Sequence, residues 1–197
     1  MMRHPFFSII TPTLQRESLV DLCKSIDAQT FTEWEHIIIA DSDVLNEDLA
    51  GRIAHRQRKF FVRDFPHADG HAANKIRNKA WEYATGDYCL YADDDNFYAD
   101  EDVFEAVHNI LLWKGVPLVA FFPILRLGSI FMPEGEPRVC HVDTANLVVA
   151  REVGQWPDIE EYTSDGIFIE SLVQKYKYAS FPTFNPIVVM PVISGGK

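Results

Sequence analysis

Positive charge, cysteine and long apolar runs are all scarce in this chain. Lysine and arginine number 18 against 29 aspartates and glutamates, a formal net charge of −11. A surface of that sign repels phosphate backbones and anionic lipid headgroups, which excludes nucleic acid as a partner. No stretch approaches the ~20 continuous apolar residues of a membrane span. The start, MMRHPFFSII, meets Pro12 before an apolar signal core can form. A protein of the cytoplasm without a transmembrane segment is expected. Cys23, Cys89 and Cys140 are odd in number and widely spaced, which suits neither a disulfide framework nor a zinc site. Packing in a reducing compartment is expected of them. The seven histidines offer no His-x-x-x-His pair within one expected helix, so zinc is not expected either. Neither a Gly-x-Gly-x-x-Gly after the first apolar run nor a P-loop is present, which weakens a dinucleotide oxidoreductase or an ATPase.

What the chain does have is 47% hydrophobic residues in 197, enough to bury one core. No repeat or low-complexity linker interrupts it, and one domain over 1–197 is expected. Short β-branched runs alternate with helical patterns. Phe6 to Thr11, ended by Pro12, His36 to Ala40, Lys59 to Arg63 and Tyr88 to Ala92 read as strands. Glu17 to Ala28, Asn46 to Arg56 and His71 to Thr85 read as helices, with Gly86 as the stop of the last. Such alternation predicts right-handed crossovers and a mainly parallel sheet flanked by helices, with ligands at the carboxyl ends of the strands. Three polar clusters fall at those ends: Thr11 to Arg16, Asp41 to Asp43, and Asp93 to Asn96. They are expected to converge on one cleft. Further on the pattern is mixed. Asp102 to Trp113 and Ser164 to Tyr178 read as helices, Pro117 to Leu125 as one strand, Arg126 to Val142 as a hairpin or irregular strands, and Asp143 to Glu152 as a short element.

The acidic run YADDDNFY, Tyr91 to Tyr98, is the unusual feature. A solvated turn is one account of it, with Asp95 or Asp100 capping the next helix. Three adjacent carboxylates at the end of a buried strand also repel one another, and a divalent cation relieves that. Carboxylate oxygens suit Mg²⁺ or Mn²⁺, which take one or two protein carboxylates and fill the remaining positions with phosphate and water.

FSIITPTLQR, EHIIIADSD, NKIRNKAWEYATGDY and YADDDN, in that order, resemble the family 2 glycosyltransferases of the GT-A fold. The resemblance runs from about Phe6 to about Val173. It implies an α/β Rossmann-like sheet with a small mixed C-terminal region, nucleotide bound by about residues 1–98 and acceptor by about 99–197. It implies an inverting hexosyl transfer from a nucleotide diphosphate donor, UDP-sugar by preference, to a glycan or other hydroxyl acceptor. By that resemblance Thr11, Pro12, Thr13 and Arg16 lie on the nucleotide loop, and Asp41 reads the base unless the alignment slips by one residue. Arg77 of the Arg77-Asn78 pair faces the diphosphate, though on periodicity alone it reads as a surface ion pair beside Lys75 and Lys79. Asp93 or Asp94 faces the ribose or the cation, and Asp95, with Asp93, holds Mn²⁺ or Mg²⁺.

The same resemblance makes Asp165, in TSDGIFIESL, the general base that takes the acceptor proton; the residues alone favour a helix cap at Ser164 or Asp165. Glu160 and Glu161 stand by as alternatives, and His141 and Asp143, which precede a further expected helix, are secondary candidates for approaching the metal or the acceptor. Trp156-Pro157 and Tyr162 suit either an acceptor wall or the core. The acceptor site comes from the segment after Pro117 or from a partner subunit, which leaves a homo-oligomer open, and the acceptor itself can be membrane-bound. A binding protein that lost the chemistry is the rival within the fold. A phosphotransfer receiver or phosphatase is disfavoured, because Thr11-Pro12-Thr13 stands where those folds place an aspartate.

Overall fold

The computed structural model describes residues 4–65, 73–133, 135–156 and 163–190. Its first half alternates as expected: β1 (Phe7–Thr13), α1 (Leu19–Asp27), β2 (Trp34–Ala40), α2 (Glu47–Arg52), β3 (Arg58–Val62), α3 (Ala73–Tyr83) and β4 (Tyr88–Tyr91). Strand β2 is buried at every position, which suits a strand covered on both faces. Helix α1 turns Leu19, Leu22, Cys23 and Ile26 into the core, and the Asn46 side chain caps α2 by accepting the Leu49 N–H. The second half is β5 (Phe97–Tyr98), α4 (Val103–Trp113), β6 (Val119–Phe121), β7 (Ile124–Arg126), β8 (Ser129–Phe131), β9 (Leu147–Ala150), α5 (Ser164–Lys175), β10 (Tyr178–Ser180) and β11 (Val188–Met190).

The main sheet has seven strands in the order β10-β6-β9-β4-β1-β2-β3. All neighbours are parallel except β9, which runs antiparallel to both β4 and β6. Six strands therefore share one direction, and the amino end of β9 lies at their carboxyl ends. A four-stranded sheet, β5-β11-β7-β8, flanks them. No helix among the described residues is long and apolar enough to cross a membrane.

Several expectations are corrected. Pro12 lies inside β1, not after it. The Ile10 carbonyl accepts from Ala92 N–H and the Thr13 carbonyl from Asp41 N–H, so even-numbered peptide groups of β1 face β4. Pairing with β4 runs only from Phe7 to Ile10, so the N–H that proline lacks falls just beyond the last partner. Gly86 is not a helix stop, since α3 ends at Tyr83 and Gly86 is absent from the positive-φ glycines. A Cβ there would lie 2.8 Å from the Phe7 carbonyl carbon and Ser8 nitrogen, so the residue is glycine because β1 passes against it.

The expected strand Pro117 to Leu125 is two, β6 and β7, in different sheets, with Phe122-Pro123 at the switch. The helix expected after Asp143 is a 3₁₀ turn, Thr144–Asn146, followed by β9. Cys23 and Cys89 are buried, but Cys140 is exposed, at φ 64°, and so is not a core residue.

Candidate functional site

At the carboxyl end of β4 the acidic run turns back on the first-strand loop. Asp94 is buried, and its Oδ2 accepts the Thr13 hydroxyl at 2.6 Å and the Leu14 N–H at 3.1 Å. Arg16 Nη1 reaches Asp94 Oδ1 at 3.2 Å and Asp95 Oδ2 at 3.5 Å. The central aspartate of the triplet is thus a structural hub, with its lone pairs taken by protein donors. Gln15 sits at φ 59°, unusual for a residue other than glycine, and its side chain spans to the second-strand loop, donating to Val44 O at 2.9 Å and accepting Asn46 N–H at 2.6 Å.

Asp41 and Asp43 are gathered by Arg63, the residue just past β3. Arg63 Nε lies 2.8 Å from Asp41 Oδ1, and its Nη2 lies 3.1 Å from Asp43 Oδ1. The β2–β3 register pairs Ala40 with Val62, so the next residues, Asp41 and Arg63, face each other. Thr11 is placed elsewhere. Its hydroxyl is buried in the sheet, 3.0 Å from His36 Nε2, while His36 Nδ1 accepts Arg58 Nε–H at 3.0 Å. An imidazole that accepts at Nδ1 carries its proton at Nε2 and is neutral. Burial first, then the Arg58 charge, holds the His36 pKa well below its ordinary value.

From α3, Arg77 Nη2 donates to Asp93 Oδ1 at 2.9 Å, and its guanidinium carbon lies 5.1 Å from the centre of the Trp156 ring. The Arg77 side chain is 8% exposed, and its Nε has no hydrogen-bond partner among the described residues. It is therefore a buried cation facing the acidic loop, not a surface ion pair. Its neighbour Asn78 does a different task, pinning the Trp156 peptide by donating to its oxygen at 3.0 Å and accepting its N–H at 2.8 Å. Trp156 itself is buried, stacked on Phe168 and donating Nε1–H to the Tyr91 hydroxyl, so it belongs to the core and not to an acceptor wall.

Asp95 keeps an exposed edge, its side chain being 29% accessible. Burial first, then repulsion from Asp93 and Asp94, raises its carboxyl above the ordinary value, with Arg16 offsetting part of the effect. Asn96, next in line, is buried with neither side-chain atom hydrogen-bonded among the described residues.

The turn ahead of β9 brings Asp143 to the same rim. Its Oδ1 accepts Ala145 N–H at 3.0 Å, and its Oδ2 lies 3.9 Å from Arg126 Nη1. Burial raises its carboxyl, with Asp93 and Asp165 adding repulsion against the relief from Ala145 N–H and Arg126. Asp143 therefore stands within electrostatic reach of both the acidic triplet and the first turn of α5. Asp165 lies in that turn and accepts the Gly166 N–H at 2.7 Å. Thr163, not Ser164 or Asp165, occupies the cap position, and its side chain makes no capping bond. A Cβ on Gly166 would meet Val139 Cα at 2.7 Å, and Glu170 accepts Val139 N–H at 2.8 Å, so α5 is pressed backbone to backbone against that segment. His141 is exposed, with Nδ1 3.1 Å from Val139 O and Nε2 3.4 Å from Arg138 Nη2. Pro157, Glu160, Glu161 and Tyr162 lie outside the described residues.

Arg63 and Asp143 were the residues hardest to weigh from the sequence. The signal for Arg63 was its place one step past a strand neighbouring Asp41. Asp143 stands in the sequence beside His141 as a secondary candidate, and only the reversal of β9 separates the two. Among the described residues no group of three or more histidine, cysteine or acidic side chains is arranged to hold a metal ion. A cleft of about 660 Å³ lies at the opposite, amino ends of the strands, lined by His4, Trp34, Glu35, Lys59 and Thr85 among others. Its buried acid is already used: burial pushes the Glu35 carboxyl up, but Thr85, Lys59 and Ser8 outweigh that and hold it low.

The sequence matches the profile of "Glycosyl transferase family 2" over residues 8–122, more than half of the chain. No curated protein sequence matches it. Among solved structures it is similar to S. aureus TarS 1-349 in complex with UDP-GlcNAc, with a TM-score of 0.74 at 14% identity over 96% of this chain. It is also similar to the mannosyltransferase PcManGT from Pyrobaculum calidifontis in complex with GDP-Man and Mn²⁺, with a TM-score of 0.67 at 17% identity over 98% of this chain. The chain spans 59% of the length of each of those two structures. Identities this low speak to the fold, which is the mainly parallel α/β sheet expected from the sequence.

Proposed function

The chain belongs to glycosyl transferase family 2, and from that premise we propose that it moves a sugar from a nucleotide diphosphate donor, a UDP-sugar, to a hydroxyl acceptor with inversion. The observation that carries this reading is Arg77. It is a buried guanidinium held by Asp93 at the mouth of the acidic loop, with an Nε–H that has no hydrogen-bond partner among the described residues, where a diphosphate would supply an acceptor. Asp41, oriented by Arg63, reads the base, and the Thr13 to Arg16 loop, tied to Asp94, borders the ribose.

The donor set also fits a divalent cation. Asp95 and Asp93 offer hard oxygens, and the Asp95 charge is disfavoured by burial and by its acidic neighbours, a conflict that Mn²⁺ or Mg²⁺ relieves. Two carboxylates suffice when donor phosphates and water complete the shell. When bound, the cation would neutralise charge on the departing diphosphate.

Asp165 accepts the proton of the acceptor hydroxyl. The acceptor oxygen then bonds to the anomeric carbon as the bond from that carbon to the diphosphate oxygen breaks, and the nucleoside diphosphate leaves with the electron pair. Nucleotide occupies residues 1–98 and acceptor the remainder.

Thermal shift with UDP and GDP, each with and without Mn²⁺, followed by donor hydrolysis and transfer assays, tests this reading. A shift with UDP that needs Mn²⁺, together with turnover, is expected. Binding without hydrolysis or transfer would leave a nucleotide-sugar binding protein, and no shift with any nucleoside diphosphate would overturn the reading altogether.

A further inference from the structure

Arg16, Arg63 and Arg77 all face acidic residues at the carboxyl edge of the sheet, and they are held in different ways. The side chains of Arg63 and Arg77 are 8% exposed. Each has a second anchor besides its carboxylate: Arg63 Nη1 donates to Phe65 O at 2.6 Å, and the Arg77 guanidinium lies over the Trp156 ring. The Arg16 side chain is 51% exposed, and a single nitrogen, Nη1, serves both Asp94 Oδ1 at 3.2 Å and Asp95 Oδ2 at 3.5 Å. Strong guanidinium–carboxylate pairs use two parallel N–H donors at shorter distance, and exposed pairs made otherwise hold weakly.

The acidic loop does not need Arg16 to keep its shape. Asp94 Oδ2 is fixed by the Thr13 hydroxyl and the Leu14 N–H, and Arg16 donates to the other oxygen. The turn itself is closed by the Asn96 N–H on the Asp93 carbonyl at 3.0 Å. What Arg16 supplies is charge, set against the repulsion that Asp93 and Asp94 exert on Asp95.

Asp95 is one of the two carboxylates assigned above to a divalent cation. A guanidinium 3.5 Å from its Oδ2 repels a second positive charge at the same carboxylate. A nucleoside diphosphate changes that balance, because its phosphate oxygens offer a guanidinium a better partner than one oxygen on each of two carboxylates. We infer that Arg16 is an exchangeable counter-charge. Before nucleotide binds it guards Asp95; with nucleotide it moves to the diphosphate and releases Asp95 to the cation. Cation binding is thereby made conditional on nucleotide. The inference rests on the sugar-transfer reading for the diphosphate and on the cation assignment of Asp95, but its first measurement needs neither nucleotide nor turnover.

Mn²⁺ binding is measured from the electron paramagnetic resonance of the unbound ion, at one low ionic strength, for the wild type, R16Q and R16K, each alone and with saturating UDP. Loss of the neighbouring charge should make Mn²⁺ alone bind about tenfold more tightly to R16Q than to the wild type. UDP should tighten Mn²⁺ binding roughly tenfold more in the wild type than in R16Q, and by linkage Mn²⁺ should help UDP less in R16Q by the same factor. R16K keeps the charge, so Mn²⁺ alone should bind it within about twofold of wild type. K114Q removes a charge just past α4, at the amino edge of the sheet, and controls for net charge. Equal affinity of wild type and R16Q for Mn²⁺ alone, or no binding by either, overturns the inference. So does tightening in R16K or K114Q that matches R16Q, or a UDP effect on Mn²⁺ that is the same in wild type and R16Q. A wild type that binds Mn²⁺ but no UDP sinks the transfer reading, and the comparison with R16Q on Mn²⁺ alone still decides whether Arg16 guards Asp95.

Discussion

Thr13, at the end of the first strand, donates its hydroxyl to Asp94, the middle residue of the acidic triplet, at 2.6 Å across 81 positions of sequence. The same hydroxyl oxygen accepts the Gln15 N–H at 2.8 Å. Thr13→Ala should therefore leave a buried carboxylate short of one donor and a backbone N–H short of its acceptor. A loss of about 2 kcal/mol in urea unfolding is expected, with Thr13→Ser restoring most of it. A loss under a few tenths would mean that the bond does not hold the two loops together.

Asp95 presents the opposite case, a charge that the fold disfavours. Asp95→Asn should raise the melting temperature in the absence of cation, by a shift on the order of 2 °C. It should also abolish the Mn²⁺-dependent part of the UDP thermal shift. Gain of stability with loss of function is the mark of a site residue. Unchanged cation dependence would remove Asp95 from the metal set.

Asp165→Asn keeps the shape of the side chain and its acceptor oxygen toward Gly166 N–H, but it cannot take a proton. Transfer should fall by about 10² to 10⁴ with nucleotide binding within about twofold of wild type. Normal turnover in the variant would return Asp165 to an ordinary place in the first turn of a helix.

Arg63→Gln should loosen Asp41 and leave the diphosphate end of the site alone. Discrimination between UDP and GDP is expected to drop by roughly tenfold, the worth of about 1.4 kcal/mol. The Mn²⁺-dependent part of the shift should persist. A purely structural Arg63 would weaken both nucleotides equally.

His36 makes folding sensitive to mild acid. Its folded pKa lies well below that of an unfolded histidine, so the neutral form is the one that the fold favours. The stability it contributes is complete above the unfolded value of about 6.5 and is lost as pH falls below it, because the unfolded chain takes up the proton first. Urea midpoints should decline from pH 7 to pH 5. His36→Gln should be less stable at pH 7 yet show a smaller decline over the same interval.

The parallel half of the fold was legible in the sequence because each strand is a continuous apolar run and each is followed by a helical period. Thr13 and the acidic triplet stood out for a related reason, since each lies at the carboxyl end of such a run, whereas Arg77, inside α3, was marked only by the family resemblance. Asp143 ranked only as a secondary candidate, because a reversed strand delivers its preceding residues to that edge and so hides them from a search of what comes after strands. Pro12 misled because proline ends a strand only where a partner needs its N–H, and the end of β4 pairing at Tyr91 is a tertiary fact. Gly86 carried the same ambiguity, a glycine needed for closeness looking like a glycine needed for a turn.

Where Gly166 meets Val139 the helix has no side chain of its own to adjust, since an added Cβ would lie 2.7 Å from the Val139 Cα and 3.3 Å from its Cβ and Cγ1. Cores drift over evolution by trading one apolar shape for another, and helices resting on such side chains slide with each exchange. At Gly166, where the helix rests on the Cα of its neighbour, there is no such shape to trade. The placement of Asp165 in this way depends on its neighbour in sequence, Gly166, a position that carries no functional group at all.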